Sequence, residues 1–395
     1  MTQAGSPLRV LMLNYEFPPL GGGTGLACRQ LLQALGKKPE VEVDLVTSGL
    51  GSAAVEERMA PNVRVYRLPV GKRDLQFWRA AELARWSLRA GRRTRSLVRA
   101  ELFDLCHCWA GWPSGVLGYR LRRHQPYIVA LRGSDVPGYS RRLAAWDPLV
   151  FRTLSRRVWS RAGAVVAVSS ELKTLALRTS PDLDVQVIPN AVDTRLFSPG
   201  PAPDSFTVLF VGRLVPRKRV MDALEGFRRL LAEIPSARLV IVGDGPDAAP
   251  LRARCESEGL GRSVVFRGNV AHEDLPNLYR DASVCLVPSE REGMPNVLLE
   301  AMASGLPVVT TLAESTLLQG NGVVVPLGDT GAIGGALLDY ARDPVLREAH
   351  GRRSRQIAEA TSWDSVADWY LELYRAVARR TAVDTLGHKG MSASA

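Results

Sequence analysis

The stretch Ser289-Glu290-Arg291-Glu292-Gly293-Met294-Pro295-Asn296-Val297-Leu298-Leu299-Glu300-Ala301-Met302-Ala303-Ser304-Gly305-Leu306-Pro307-Val308-Val309 lies between two short apolar runs, Ser283 to Pro288 and Leu306 to Thr311. Both runs read as strands covered on two faces, since polar and apolar residues do not alternate in them. Within the stretch, Pro295 and Asn296 mark a helix N-terminus. Strand, loop, helix, strand is the repeating unit of a parallel sheet. The same alternation runs through the rest of the chain. The first half gives strands near Leu8–Asn14, Val41–Val46, Val63–Leu68, Leu105–Trp109, Tyr127–Arg132, Val165–Ser169 and Val185–Ile188. Periodicity breaks at Ser198-Pro199-Gly200-Pro201-Ala202-Pro203, which reads as a linker. A second series follows at Thr207–Val211, Leu239–Val242, Val264–Arg267, Val284–Val287 and Pro307–Thr310, with helices such as Val220–Ile234 between. The expected fold class is therefore α/β, two Rossmann-like domains with parallel sheets facing an inter-domain cleft, with ligands at the carboxyl ends of the strands.

Two carboxylates of the opening stretch, Glu292 and Glu300, stand eight positions apart, the first in a loop with Gly293 and Met294, the second a turn into the helix. A loop carboxylate and a helix carboxylate can face one ligand. Between them, the N–H groups at Asn296 and Val297 and the helix dipole make a site for phosphate. Carboxylates accept hydrogen bonds from sugar hydroxyls, so the arrangement suits a molecule that is hydroxyl-rich at both ends and anionic between, as a nucleotide-sugar is. By spacing alone, a solvated first turn favoured by the dipole explains two glutamates at least as well.

The surrounding words shift that balance. In chain order they are Pro18-Pro19-Leu20-Gly21-Gly22-Gly23, Arg132-Gly133-Ser134-Asp135, Val187-Ile188-Pro189-Asn190-Ala191-Val192-Asp193, Val211-Gly212-Arg213-Leu214-Val215-Pro216-Arg217-Lys218, Val242-Gly243-Asp244-Gly245-Pro246 and Leu278-Tyr279-Arg280-Asp281-Ala282. With the Glu-x7-Glu pair, they closely resemble the retaining family 4 glycosyltransferases (glycosyl transferases group 1), over roughly Leu8 to Arg375. The resemblance implies the GT-B fold: an acceptor-side domain over 1–197, a nucleotide-sugar domain over 198–362, a helix over 363–380 crossing back to the first domain, and a disordered tail over 381–395. It implies that Arg213 and Lys218 hold the donor diphosphate, that Glu300 binds ribose hydroxyls, and that Glu292 contacts the donor sugar beside the reacting carbon. A pair of surface cations after a strand is the bland alternative for Arg213 and Lys218. Gly243 and Asp244 form a turn whose glycine either admits the base or serves the backbone alone.

In the first domain, Gly21, Gly22 and Gly23 follow a strand and open a helix. They are not the dinucleotide fingerprint, whose third glycine would stand where Leu26 is, and the chain has no Gly-x4-Gly-Lys-Ser/Thr P-loop. Their amides remain available for the donor diphosphate. His107 sits at a strand end where related enzymes often have His-x-His, but the second position is Trp109. It reads equally as an acceptor-side residue or a packed histidine, and Asp135 as an acceptor contact or a loop cap. Asp182-Leu183-Asp184 spells Asp-x-Asp, a metal motif of a different glycosyltransferase fold, but lies among turn residues. No metal and no cofactor are expected, since Arg213, Lys218 and a helix dipole can take the leaving-group charge. The activity implied is transfer of a sugar from a UDP- or GDP-linked donor to an acceptor hydroxyl, in glycan (polysaccharide) or glycolipid biosynthesis. The alternatives are a nucleotide-sugar epimerase of the same fold and a non-catalytic carbohydrate-binding protein.

Composition fits a large enzyme. At 395 residues the chain has room for about two or three domains, and 46% hydrophobic content is ample for their cores. No apolar run nears the ~18 residues of a membrane span, and Met1 to Pro7 lacks the features of a signal peptide, so a cytoplasmic protein is expected. Its five cysteines read as reduced, buried small hydrophobes. Residues 1–200 hold 29 Lys and Arg against 16 Asp and Glu, so the whole net charge of +11 belongs to the first half. Seven arginines between Arg79 and Arg99 interleave with Phe77, Trp78, Ala81, Ala84, Trp86 and Leu88, of which positions 77, 81, 84 and 88 share one helical face. Such a helix reads either as a peripheral contact with an anionic membrane, at the inner face of the plasma membrane, or as a core-docked helix with a solvated basic face. Nucleic acid is not an expected partner, because no helix-turn-helix, RNA-recognition or zinc-finger pattern accompanies the charge.

Overall fold

A computed structural model describes residues 6–72, 74–75, 77–140, 150–201, 203–313 and 315–391, the last eleven by their backbone alone. The chain divides into two compact units, the first holding Met1–Asn190 and Trp363–Ala395, the second Ala191–Ser362.

The first unit runs β1 (Leu8–Leu13), α1 (Gly23–Leu35), β2 (Val41–Gly49), β3 (Val55–Ala60), β4 (Val63–Pro69), α2 (Ala80–Ala100), β5 (Leu105–Cys108), α3 (Ser114–Leu121), β6 (Tyr127–Leu131), α4 (Arg152–Trp159), β7 (Ala164–Ala167), α5 (Ser170–Thr179) and β8 (Val185–Val187). Its sheet has the order β3-β4-β2-β1-β5-β6-β7-β8. Every neighbouring pair is parallel except β3 with β4, an antiparallel edge that the sequence reading does not anticipate. The edge strand reads Val55-Glu56-Glu57-Arg58, too polar to stand out as a strand, and its side chains stay exposed. Central strands are the reverse: Val10 to Leu13 and Ile128 to Leu131 are buried, as helices on both faces require.

Helix α2 corrects one expectation. The face that packs is Glu82, Trp86, Ala90, Thr94 and Leu97, while Phe77, Ala81, Ala84 and Leu88 turn outward and Leu88 is 64% exposed. Trp86 leads this face, since the indole is the largest apolar side chain of the helix and is fully buried. Arg85 and Arg89 lock it by donating to the carbonyls of Val70 (2.7 Å) and Pro69 (2.5 Å). Glu82 is accommodated on the buried side by Lys72 Nζ at 3.0 Å and the Arg79 N–H at 2.9 Å.

The second unit contains β9 (Thr207–Val211), α6 (Val220–Glu233), β10 (Arg238–Val242), α7 (Ala248–Ser257), β11 (Val264–Gly268), α8 (Leu275–Arg280), β12 (Val284–Val287), α9 (Asn296–Ala303), β13 (Val308–Thr310), β14 (Gly322–Val324), α10 (Thr330–Arg342) and α11 (Pro344–Glu359). Its wholly parallel sheet has the order β11-β10-β9-β12-β13-β14. One face is covered around Phe210, Phe227 and Tyr340, the other around Phe197, Tyr279 and Met302. Residues 191–197 fold with this unit, ahead of the proline-rich break at Ser198, because Phe197 is buried against Tyr279 with ring centroids 5.6 Å apart. Arg355 of α11 ties the segment down by donating to the carbonyls of Thr194 and Phe197.

Helix α12 (Trp363–Met391) belongs to the first unit and runs past Arg380, where a tail was expected. Thr381-Ala382-Val383-Asp384-Thr385-Leu386 contains no helix breaker, so the backbone continues. The helix docks on α1 through Lys37–Asp364 (3.0 Å) and Lys38–Asp368 (2.6 Å). These partly exposed pairs contribute little compared with the burial of Val366, Ala367, Tyr370, Leu371, Leu373, Tyr374 and Val377. At roughly 1.5–3 kcal/mol for each large side chain, that burial rivals the whole stability of a domain. Truncation after Ser362 should therefore unfold the first unit and spare the second. Limited proteolysis of the truncated chain should leave a resistant fragment near residues 191–362, and an unchanged two-unit melting profile would count against this account.

Candidate functional site

In the second sheet, chain order reverses between β9 and β12, which are neighbours. Connections leave these two strands in opposite directions, so a crevice opens at their carboxyl ends. The loop after β9 carries Arg213, a 3-10 turn over Pro216–Lys218, and Arg219 in the left-handed region at φ 51°, where α6 begins. It is fastened to the loop after β10 by Gly212 N–H to Val242 O (2.9 Å), Leu214 N–H to Asp244 O (2.9 Å) and Asp247 N–H to Leu214 O (3.0 Å). The contact is close enough to dictate sequence. A Cβ on Gly243, at φ 127°, would lie 1.9 Å from the Gly212 carbonyl oxygen, and one on Gly245 would lie 2.3 Å from that of Leu214. The glycines thus serve the backbone directly, while Asp244 is exposed and accepts from the Gly245 N–H at 2.8 Å.

The loop after β12 joins the same frame through Glu290 N–H to Arg217 O at 2.8 Å. It delivers the Glu292 carboxylate to Lys218 Nζ at 2.7 Å, with Arg217 Nη1 at 4.0 Å. Burial pushes the Glu292 carboxyl up, but the charges of Lys218 and Arg217 and hydrogen bonds from Lys218 and Ser289 outweigh it and hold it below its ordinary range. Glu292 is a carboxylate at neutral pH. Gly293 and Met294 lead to Pro295, the extended N-cap of α9, whose first turn has no acidic residue and no side-chain cap. Leu298 N–H bonds back to Pro295 O at 3.0 Å, so the amides of Asn296 and Val297 precede the helix's own ladder.

Glu300, one further turn along, is buried and held differently. Tyr279 donates to its Oε2 at 2.8 Å and His272 Nε2 lies 3.2 Å from its Oε1. Burial and the charge of Glu300 push the Tyr279 hydroxyl well above its ordinary value, so it remains a donor. Tyr279 stands in a quoted word without an assigned role, and Arg217 adjoins an assigned lysine. His272 carries no sequence signal: it reaches Glu300 from the loop after β11, 28 residues away in the chain.

In the first unit the sequence-derived positions meet at the carboxyl ends of β1, β5 and β6, which are adjacent. Gly21, at φ 90°, donates to Leu75 O at 2.7 Å, Gly22 caps α1, and Gly23 opens it, again with no acidic residue in the first turn. Trp109 Nε1 donates to Thr24 O at 3.0 Å, joining β5 to α1. Asp135 is a loop clamp, accepting from the N–H groups of Gly111 (2.6 Å), Arg132 (3.0 Å) and Gly133 (2.8 Å). Burial raises its carboxyl and these backbone donors pull it back, leaving it above its ordinary value. His107 is fully buried, with Nδ1 2.7 Å from the Tyr374 hydroxyl and its ring among Trp109, Tyr370 and Tyr374. Arg132 stacks over Trp109 at 4.2 Å and donates to Asn190 at 2.7 Å.

Known proteins share these domains and this fold. Residues 21–196 match the family model described as Glycosyltransferase Family 4, and residues 205–343 that described as Glycosyl transferases group 1. The D-inositol 3-phosphate glycosyltransferase of Acidothermus cellulolyticus is 29% identical, with 95% of this chain and 92% of that protein covered. Among solved structures, the sucrose-phosphate synthase of Thermosynechococcus elongatus superposes with a TM-score of 0.79 at 24% identity, over 93% of this chain and 98% of that one. Anabaena HepE in complex with UDP and glucose does so with a TM-score of 0.71 at 18% identity, over 92% and 98%. The two parallel α/β units are those of the GT-B fold, and the chain carries glycosyltransferase domains in both.

His107 gives the site a measurable pH signature. Burial, with the nearby Arg132 charge, lowers its pKa from 6.5 to about 3. Below pH 6.5 the unfolded chain binds a proton that the folded chain refuses, so stability falls as pH drops toward 3, at about 1.4 kcal/mol per pH unit. The slope of unfolding free energy between pH 6 and 4 should be smaller in His107→Gln by about that amount. Equal slopes in the two proteins would show that the ring is not held neutral.

Proposed function

We propose that the chain transfers a sugar from a UDP- or GDP-linked donor to an acceptor hydroxyl, with retention at the anomeric carbon. The observation that carries this reading is the cluster of Arg217, Lys218 and Glu292 between the loops after β9 and β12, with Arg213 on the same loop as the two cations and the α9 N-terminus beside Glu292. Guanidinium and ammonium groups beside a helix N-terminus are a chemistry that suits a diphosphate. Glu292, oriented by Lys218, takes the hydroxyls of the donor sugar, and Glu300 those of the ribose. Asp135 keeps the acceptor-side loops in place. In the reaction, the bond from the anomeric carbon to the β-phosphate oxygen breaks with its electron pair on the phosphate. The acceptor oxygen bonds the same face of that carbon, and its proton passes to the departing phosphate oxygen. Arg213, Lys218 and the helix dipole stabilise the charge that develops, so the step needs no metal.

The acceptor is a glycan or a lipid-linked species, and the positive surplus of the first half suits an anionic acceptor and contact with the inner face of an anionic membrane. Calorimetric titration with a panel of UDP- and GDP-sugars, then turnover with glycan and lipid acceptor extracts, tests the proposal. Consumption of the donor without any acceptor would favour an epimerase, and tight binding of glycans without turnover a lectin-like role.

Arg213→Ala or Lys218→Ala should lower kcat by about 100-fold or more and weaken donor binding less, because each cation matters most as charge develops. Steady-state kinetics in which only KM rises would reassign both residues to ground-state binding. Glu300 contacts ribose equally in ground and transition states, so Glu300→Gln should raise donor KM more than it lowers kcat, and Tyr279→Phe should do the same more weakly. A collapse of kcat at constant KM in either variant would give Glu300 a different task.

A further inference from the structure

The arginines of α2 fall into two groups. Arg85 and Arg89 are spent on the carbonyls of Val70 and Pro69, and Arg93 lies over the Tyr66 ring at 4.2 Å and pairs with Glu56 at 3.4 Å. Arg92, Arg95 and Arg99 are exposed and follow one another at helical spacings of three and four. With Ser96 and Ala100 they line a groove of about 490 Å³ on the outer side of the helix. Among the described residues none of the three has a carboxylate within ion-pair distance, and the one hydrogen bond among them is Arg95 Nε to Gly91 O at 2.9 Å. The helix dipole favours a cation only in the last turn, which accounts for Arg99 and not for the other two. Like charges stacked at this spacing repel, so an anion in the groove would relieve the row.

Apolar side chains flank it. Leu88, one turn before Arg92 on the same outward side, is 64% exposed, and Leu102, just beyond the helix, is 88% exposed. A soluble phosphate has no use for these leucines, whereas a bilayer surface offers phosphates and acyl chains together. We propose that Arg92, Arg95 and Arg99 bind phosphate groups of an anionic phospholipid surface, with Leu88 and Leu102 entering the interface beside them. Guanidinium forks bind phosphate oxygens bidentately, and the row would engage neighbouring headgroups. The inference locates the membrane contact of the proposed function but does not depend on sugar transfer.

Cosedimentation of the full chain with vesicles of phosphatidylglycerol and phosphatidylcholine, against phosphatidylcholine alone, tests it. Wild type should bind the anionic vesicles selectively and release them as salt rises. The triple variant Arg92→Gln, Arg95→Gln, Arg99→Gln should bind at least tenfold more weakly. Arg85→Gln should change binding little, and Leu88→Ser with Leu102→Ser should lower the fraction that resists salt. Circular dichroism checks that each variant is folded, and calorimetry with a UDP- or GDP-sugar reports the donor site separately. Vesicle binding unaltered in the triple variant would overturn the assignment, as would wild type ignoring anionic vesicles at low salt. So would calorimetric binding of glycerol phosphate as strong as that of the vesicles, since the leucines would then play no part.

Discussion

A parallel strand covered by helices on both faces holds a charged side chain along its length only where an opposite charge pairs with it, so most polar chemistry is pushed to its ends. In the second unit this constraint is sharpest at β9 and β12, where the order of the sheet reverses. The loops leaving them are joined by the Glu290–Arg217 backbone hydrogen bond, and the loop after β10 joins at a contact that only glycine at 243 can make. Three strand ends therefore form one rigid frame. The side chains of Arg213, Lys218 and Glu292 inherit their positions from that frame.

The two glutamates of the opening stretch show how one spacing yields two kinds of carboxylate. Glu292 is a loop residue and meets Lys218 at 2.7 Å, a charge pair that keeps it ionised despite burial. Glu300 sits inside a helix packed on the core and is held by the Tyr279 hydroxyl and the His272 ring. The first is held by an opposite charge. The second is pre-oriented by groups that do not compete for negative charge.

The first unit uses its aromatic residues in the same spirit. Tyr370 and Tyr374 on α12 close over His107 and Trp109, so a helix from the far end of the chain completes the carboxyl end of β5. Trp86 turns α2 so that arginines near its start bond the backbone after β4 and those near its end face outward. Packing of one indole thereby decides which charges are structural and which are available.

Much of this was legible in the amino-acid order. Near-continuous apolar strands alternating with helices determined two parallel α/β halves, because only a sheet covered on both faces buries such strands, and the Pro295-Asn296 start placed α9 correctly. Arg213, Lys218, Glu292 and Glu300 could be named because each stands in a short local word that carries the family resemblance. The tertiary structure alone decided the rest. It brought His272 to Glu300 and Tyr374 to His107 across 28 and 267 residues, distances over which no periodicity carries information. It also reversed the expected face of α2, because hydrophobic spacing grouped Phe77, Ala81, Ala84 and Leu88 and left Trp86 off that face, and only packing against a real core shows which side chains are buried.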